Sequence, residues 1–152
     1  MKRIITLVAL VSALTVSTAT AQKINDAAFK AKLEKSNADI ANPKKSSKAA
    51  TWLTRGKLCA DAIMEPTKNI FSGLDANMLA MSLGTPASAV NGDVHSFDWV
   101  DIHTKDSKVV AWGIKKEVLP NAYEIAKEAF LKAYELDPSS ASKIKSALET
   151  LI

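Results

Sequence analysis

Five prolines, at positions 43, 66, 86, 120 and 138, decide where helices in this 152-residue chain can start and stop. Proline lacks a backbone donor and pushes the residue before it out of helical geometry, so each one marks a boundary. Between these marks, four segments carry apolar residues at helical spacing. The first, about 25–41, aligns Phe29, Leu33, Asn37 and Ile40, with Ala27, Ala31 and Ala38 beside them, and Asn42-Pro43 ends it. The second, about 46–64, steps through Ala49, Trp52, Leu53, Gly56, Cys59, Ala60 and Ile63 before Pro66. The third, about 119–136, has Pro120 in its first turn, a position proline tolerates. Its stripe is Ala122, Ala126, Ala129, Phe130 and Ala133, with Lys127, Glu128 and Lys132 turned outward. Asp137-Pro138 separates it from a fourth, about 139–151, with Ile144, Ala147, Leu148 and Leu151 on one face.

The stretch 67–117 follows a different rule. Asp75 to Leu83 reads as a short helix with Asp75 as N-cap and Gly84 as its stop. Thr85-Pro86 and Asn91-Gly92 are turn signals. Val94 to His103 and Lys108 to Lys116 alternate like strands, rich in aromatic and β-branched residues, and the polar Thr104 to Ser107 link predicts a β-hairpin. The expected fold is therefore mainly α, with about four helices in antiparallel pairs and a small α/β insertion.

The N-terminus is built for export. Lys2 and Arg3 precede an apolar run from Ile4 to Val16, and Ala19-Thr20-Ala21 supplies a cleavage site. This order predicts a secretory signal over 1–21, too short to span a bilayer, and a mature domain of 22–152 in the periplasm or outside the cell. Removing Lys2 and Arg3 from the 20 basic residues leaves 18 against 16 acidic, a net of +2. So slight a balance gives a nucleic-acid partner no electrostatic basis. Cys59 is the single cysteine, so burial of apolar surface rather than a disulfide must hold the exported chain together.

Ala126, Phe130, Ala133 and Pro138, with the ending Tyr134-Glu135-Leu136-Asp137-Pro138, resemble the second helix of a tetratricopeptide repeat (TPR). Trp52 and Gly56 are similarly spaced to its first helix, and Ala31, Ala38 and Pro43 match another second helix. Small residues at such crossings let helices approach while larger ones fill the space between. The resemblance is to exported bacterial TPR proteins with a β insertion in the N-terminal repeat. It implies a repeat begun at Trp52 and completed at Ala126, interrupted by the insertion. Cys59 stands where the family has an aromatic residue, and Leu148 where it has a small one. Two helix pairs are fewer than the three repeats a solenoid usually needs. Either the last helix caps the stack, or the chain is a shortened relative of a longer protein, or the open end self-associates through the terminal helix.

The resemblance implies a non-catalytic scaffold that binds a protein or peptide, with no cofactor or metal. In the implied register Ala50, Leu53, Lys57 and Ala60 line the concave side with Ser142, Lys145 and Glu149, and Lys57 and Lys145 could receive a partner's carboxylate. Phe97, Trp99 and Trp112 form a second candidate surface, since a two-stranded hairpin covers only one of its faces, with core packing the expectation for at least two of the three. Cys59, on an apolar stripe, is expected to be buried and inert, and Lys44 to Lys48 a solvated turn. On one straight strand His95 and His103 share a face but stand about 26 Å apart, too far to share a metal. Two other readings stay open. A helix followed by Gly-x-Pro and a hairpin also resembles outer-membrane assembly adaptors of the BamE type. A ligand-binding or enzymatic role would need a polar pocket near Asp98, Asp101 and His103.

Overall fold

The computed structural model describes residues 24–149, so the predicted signal and the last three residues lie outside it. Helix α1 (Asp26–Ala41) starts where the Asn25 side chain accepts the Ala28 N–H at 3.0 Å. Asn42 repeats that device for α2 (Pro43–Ser46), a single turn with proline in first position. The chain breaks at extended Lys48 before α3 (Ala49–Met64), so the helix expected from about 46 starts three residues later, and α2 occupies part of the expected turn. The Trp52 indole N–H donates to the Ser46 carbonyl at 2.7 Å and pins this corner.

Helix α4 (Ala76–Leu83) is capped by Asp75 and stopped by Gly84 at φ 65°, the left-handed geometry that favours glycine. Helix α5 (Ala122–Leu136) begins three residues later than expected because Asn121 is itself left-handed, at φ 57°. Asp137 caps a 3₁₀ turn, Pro138–Ser140, by accepting the Ser139 N–H at 2.9 Å, and α6 (Ala141–Glu149) follows.

The predicted hairpin is a three-stranded antiparallel meander of β1 (Val94–Ser96), β2 (Val100–Lys105) and β3 (Lys108–Ile114), in spatial order. The strand expected over Val94 to His103 reverses at Asp98-Trp99, closed by the Phe97 N–H donating to the Val100 carbonyl at 2.9 Å. Parity explains the reversal: three positions apart on one straight strand, Phe97 and Val100 would face opposite ways. The turn sends both into one core, where they are 4% and 1% exposed. Asp106 and Ser107, at φ 51° and 59°, form the β2–β3 turn with the positive φ pair of a type I′ hairpin. A register shift at His103/Thr104 leaves Val110 as the extra residue of a bulge.

Two apolar cores result. Leu79, Leu83, Phe97, Val100, Ile102 and Val109 close the α/β unit, α4 lying with the sheet. The other joins Cys59, Ala60, Leu119, Ala122, Ala126 and Phe130 between α3 and α5. These two helices run antiparallel: Gly56 faces Phe130 at mid-length, and Ala62 and Pro66 share a recess with Leu119 and Ala122. A Cβ at Gly56 would lie 2.5 Å from the Phe130 ring, so the ring occupies the space a side chain would need. Helix α1 packs on α3 without burying any residue fully, and α6 also reaches α3.

Candidate functional site

The seam between α5 and α6 holds an apolar groove of about 710 Å³. Ala126, Phe130 and Ile144 take part in both the groove and the helical core. Its remaining apolar lining includes Tyr123, Leu131, Tyr134 and Leu148, exposed by 65%, 57%, 50% and 43%. These α5 residues form a second stripe, Tyr123, Lys127, Leu131 and Tyr134, spaced four, four and three. It lies beside the buried stripe of alanines and Phe130, so α5 offers apolar surface to two neighbours. The charges at this end pair locally, Lys127 with Glu124 at 3.8 Å and Lys145 with Glu149 at 3.7 Å. A smaller recess of about 380 Å³, between the end of β3 and the start of α5, shares Ile63 and Tyr123 with the groove.

The structure sorts the residues singled out from the sequence. Of the two lysines expected to receive a carboxylate, Lys145 lines the groove, while Lys57 is an exposed α3 residue outside its lining. Leu53 is half-buried, packing against the helical core. Phe97 is no surface residue, being part of the α/β core. Trp99 packs against the helical core with the Lys116 ammonium 5.5 Å from its ring centroid. Trp112 pairs in register with Ile102 and so shares its sheet face, but β3 overhangs the core and leaves Trp112 38% and Ile114 46% exposed. Of the repeat positions, Gly56, Ala126, Phe130 and Ala133 are buried, Trp52 is half-buried and Pro138 is exposed.

The histidines also change places. Because the strand reverses, His103 stands opposite Val94 on the outer face, and His95 opposite Ile102 on the inner one. The expected distance along one strand does not apply, and opposite faces now separate the rings. Buried His95 has its Nε2 3.0 Å from Thr104 Oγ1, which donates to the Gly92 carbonyl at 2.7 Å. With that proton committed, the hydroxyl accepts and His95 Nε2 carries the hydrogen. Asp101 accepts from Ser96 Oγ at 2.6 Å and lies 3.4 Å from Lys115. The Ser96 bond first, then the Lys115 charge, hold its carboxyl below the usual range. The recess at the insertion–helix junction is lined by none of Asp98, Asp101 or His103. Burial pushes the Cys59 thiol up, away from the reactive thiolate, with Arg55 pulling the other way. Among the described residues no group of three or more His, Cys, Asp or Glu side chains could hold a metal ion.

The α5–α6 groove was missed from the sequence because its stripe contains Lys127, which reads as an outward charge. The spacing of Tyr123, Leu131 and Tyr134 is the signal that could have found it. No protein-family model matches the chain, and no curated protein or solved structure matches it.

Proposed function

We propose that this chain is an exported, non-catalytic interaction module of tetratricopeptide type, whose α5–α6 groove receives an amphipathic helix of a protein partner. The observation that carries the reading is the uncovered stripe of Tyr123, Leu131, Tyr134 and Leu148 beside the core. An apolar band of this kind, lined by residues of two helices, suits a third helix laid into it with apolar residues three and four apart. Charges of both signs at its margins, Glu124, Lys127, Lys145 and Glu149, suit a helix with a mixed polar face. The Gly56–Phe130 crossing supports the repeat-like pairing of α3 with α5. No covalent chemistry is required of the site.

The test is capture from the exported fraction by the mature chain, Gln22 to Ile152, compared with Leu131→Glu. A protein held by the native chain, lost with the variant, and shielding the amides of α5 and α6 from hydrogen exchange supports the reading. Recovery of no protein, together with stabilisation of the domain by a small molecule, overturns it. Light scattering of the same preparation shows whether a second copy fills the groove instead. N-terminal sequencing of the exported form tests cleavage after Ala21.

The adaptor reading is favoured by one observation: the α/β unit closes a core of its own around a three-stranded meander. It requires attachment through that unit, so deleting residues 73–116 would abolish association with an envelope complex while leaving groove binding intact.

A further inference from the structure

Charge in this molecule is nearly balanced in total and unevenly placed. Residues 26–57 carry eight basic and three acidic side chains, whereas residues 58–149 carry nine basic and thirteen acidic. Of the three acids at the basic end, Asp26 is taken by Lys30 at 2.8 Å and Asp39 by Lys45 at 2.6 Å. A recess of about 530 Å³ gathers Lys32 and Lys35 from α1 with Lys45 and Lys48 from the α2–α3 corner. Hydroxyl residues Ser36, Thr51 and Thr54 line it as well. Among the described residues, the ion pairs leave Lys32, Lys35 and Lys48 without a carboxylate. Arg55, at the back of the same helices, donates to Ser36 Oγ at 3.1 Å and Asn37 Oδ1 at 2.8 Å, both neutral acceptors, so its charge adds to the field.

The geometry points to a second binding surface, in which the basic face of α1, α2 and α3 docks on the phosphates of an anionic bilayer. Three features favour a bilayer over an acidic protein. The recess is lined by lysines, compact point charges that suit a mobile field of headgroups, whereas a fixed carboxylate is better held by the arginine fork. Its lining contains no large apolar side chain of the kind that anchors a protein interface. The indole of Trp52, bonded to Ser46 beside these lysines, supplies the amphipathic ring favoured at headgroup depth. No described helix is long and apolar enough to cross a membrane, so the contact is with the surface alone. Helices α1 and α5 both pack on α3, and the basic recess and apolar groove have no lining residue in common. Docking through the first thus leaves the second free for a partner. This inference does not depend on the groove.

Co-sedimentation of the mature chain with vesicles tests it. The native chain is expected to pellet with phosphatidylglycerol-containing vesicles, not with pure phosphatidylcholine, and to be released as salt rises from about 50 to about 300 mM. Replacing Lys32, Lys35 and Lys48 together by glutamine should weaken binding by at least about tenfold, as each lysine contributes separately near such a surface. The control, Lys105→Gln, Lys108→Gln and Lys116→Gln on the sheet unit, removes equal charge and should change binding by less than about twofold. All six side chains are exposed, and circular dichroism confirms that both triple variants are folded. Equal binding to neutral vesicles, or equal loss in the two triple variants, overturns the proposal. So does failure to bind vesicles under conditions where soluble polyphosphate or an acidic protein is bound, since the basic face would then serve a different partner.

Discussion

The helical layer and the α/β unit solve the same problem of burial in opposite ways. The α/β unit closes around large side chains, with Leu79 and Ile102 fully buried and the buried pair His95 and Thr104 satisfied, the Thr104 hydroxyl reaching the Gly92 carbonyl at the rim. The helical layer relies on alanines, one glycine and the Phe130 ring, and then leaves a second apolar stripe of α5 without a cover. Small residues give close helix crossings but little volume per residue, so the layer adds area by recruiting further helices. The comparison teaches where to look for function: both regions keep exposed apolar side chains, Trp112 and Ile114 on the sheet among them, and Tyr123, Leu131, Tyr134 and Leu148 of the helical layer line the α5–α6 groove.

The comparison breaks most easily at Phe130. Phe130→Ala should cost about 3–5 kcal/mol by emptying the space above Gly56, measured by denaturant unfolding. The loss should appear first in α3 and α5 amide exchange while the slow amides of β2 persist. Next in size is the buried polar pair of the other unit. Thr104→Val leaves the buried His95 Nε2–H without its acceptor, and about 1–3 kcal/mol should be lost, with β1 and β2 the first to exchange. At the groove, by contrast, Leu131→Glu should change stability by no more than about 0.5 kcal/mol, because the side chain is 57% exposed. A large loss there would mean that Leu131 belongs to the core and that the layer is already closed.

The smallest effect concerns the entry to α6. Asp137 accepts the Ser139 N–H, and hydrogen bonding from the Ser139 side chain first, then from that N–H, holds its carboxyl below the usual range. A depressed carboxylate contributes fully above its ordinary value near 4 and loses that contribution as pH falls through its lower folded value. Exchange of the 3₁₀ turn and α6 should thus increase on acidification below about pH 4, and Asp137→Asn should flatten that dependence. Persistence of the full dependence in the variant would assign it to another carboxylate.

Much of the helical layer could be read from the chain because its signals are local. Asn42-Pro43 ends α1, Asp75 and Gly84 bound α4, and Asp137-Pro138 separates α5 from α6, each acting on neighbouring backbone where expected. The role of Asn42 as N-cap of α2 was not expected. The turn over Lys44 to Lys48 was legible, but not the single helical turn Pro43–Ser46 overlapping it nor the start of α3 at Ala49, a corner secured by a long-reaching indole bond. The reversal at Asp98-Trp99 was also hidden. Alternation from Val94 to His103 is as good for one strand as for two, and only the need to bury Phe97 with Val100 decides between them. The binding surfaces were least legible. A stripe interrupted by Lys127 reads as solvent-facing, and the lysine recess exists only because α1 and the α2–α3 corner come together.

The Gly56–Phe130 contact also has a temporal side. Phe130 lies 74 positions after Gly56, so α3 must wait for α5 until the whole intervening segment has been made. Closing so long a flexible loop is slow and entropically costly, whereas the meander between them needs only short-range turns. The α/β unit should therefore gather first, drawing the ends of α3 and α5 together as it does so, and the helices should then zip onto one another. In that order the α/β unit is a folding clasp for the helix pair it separates.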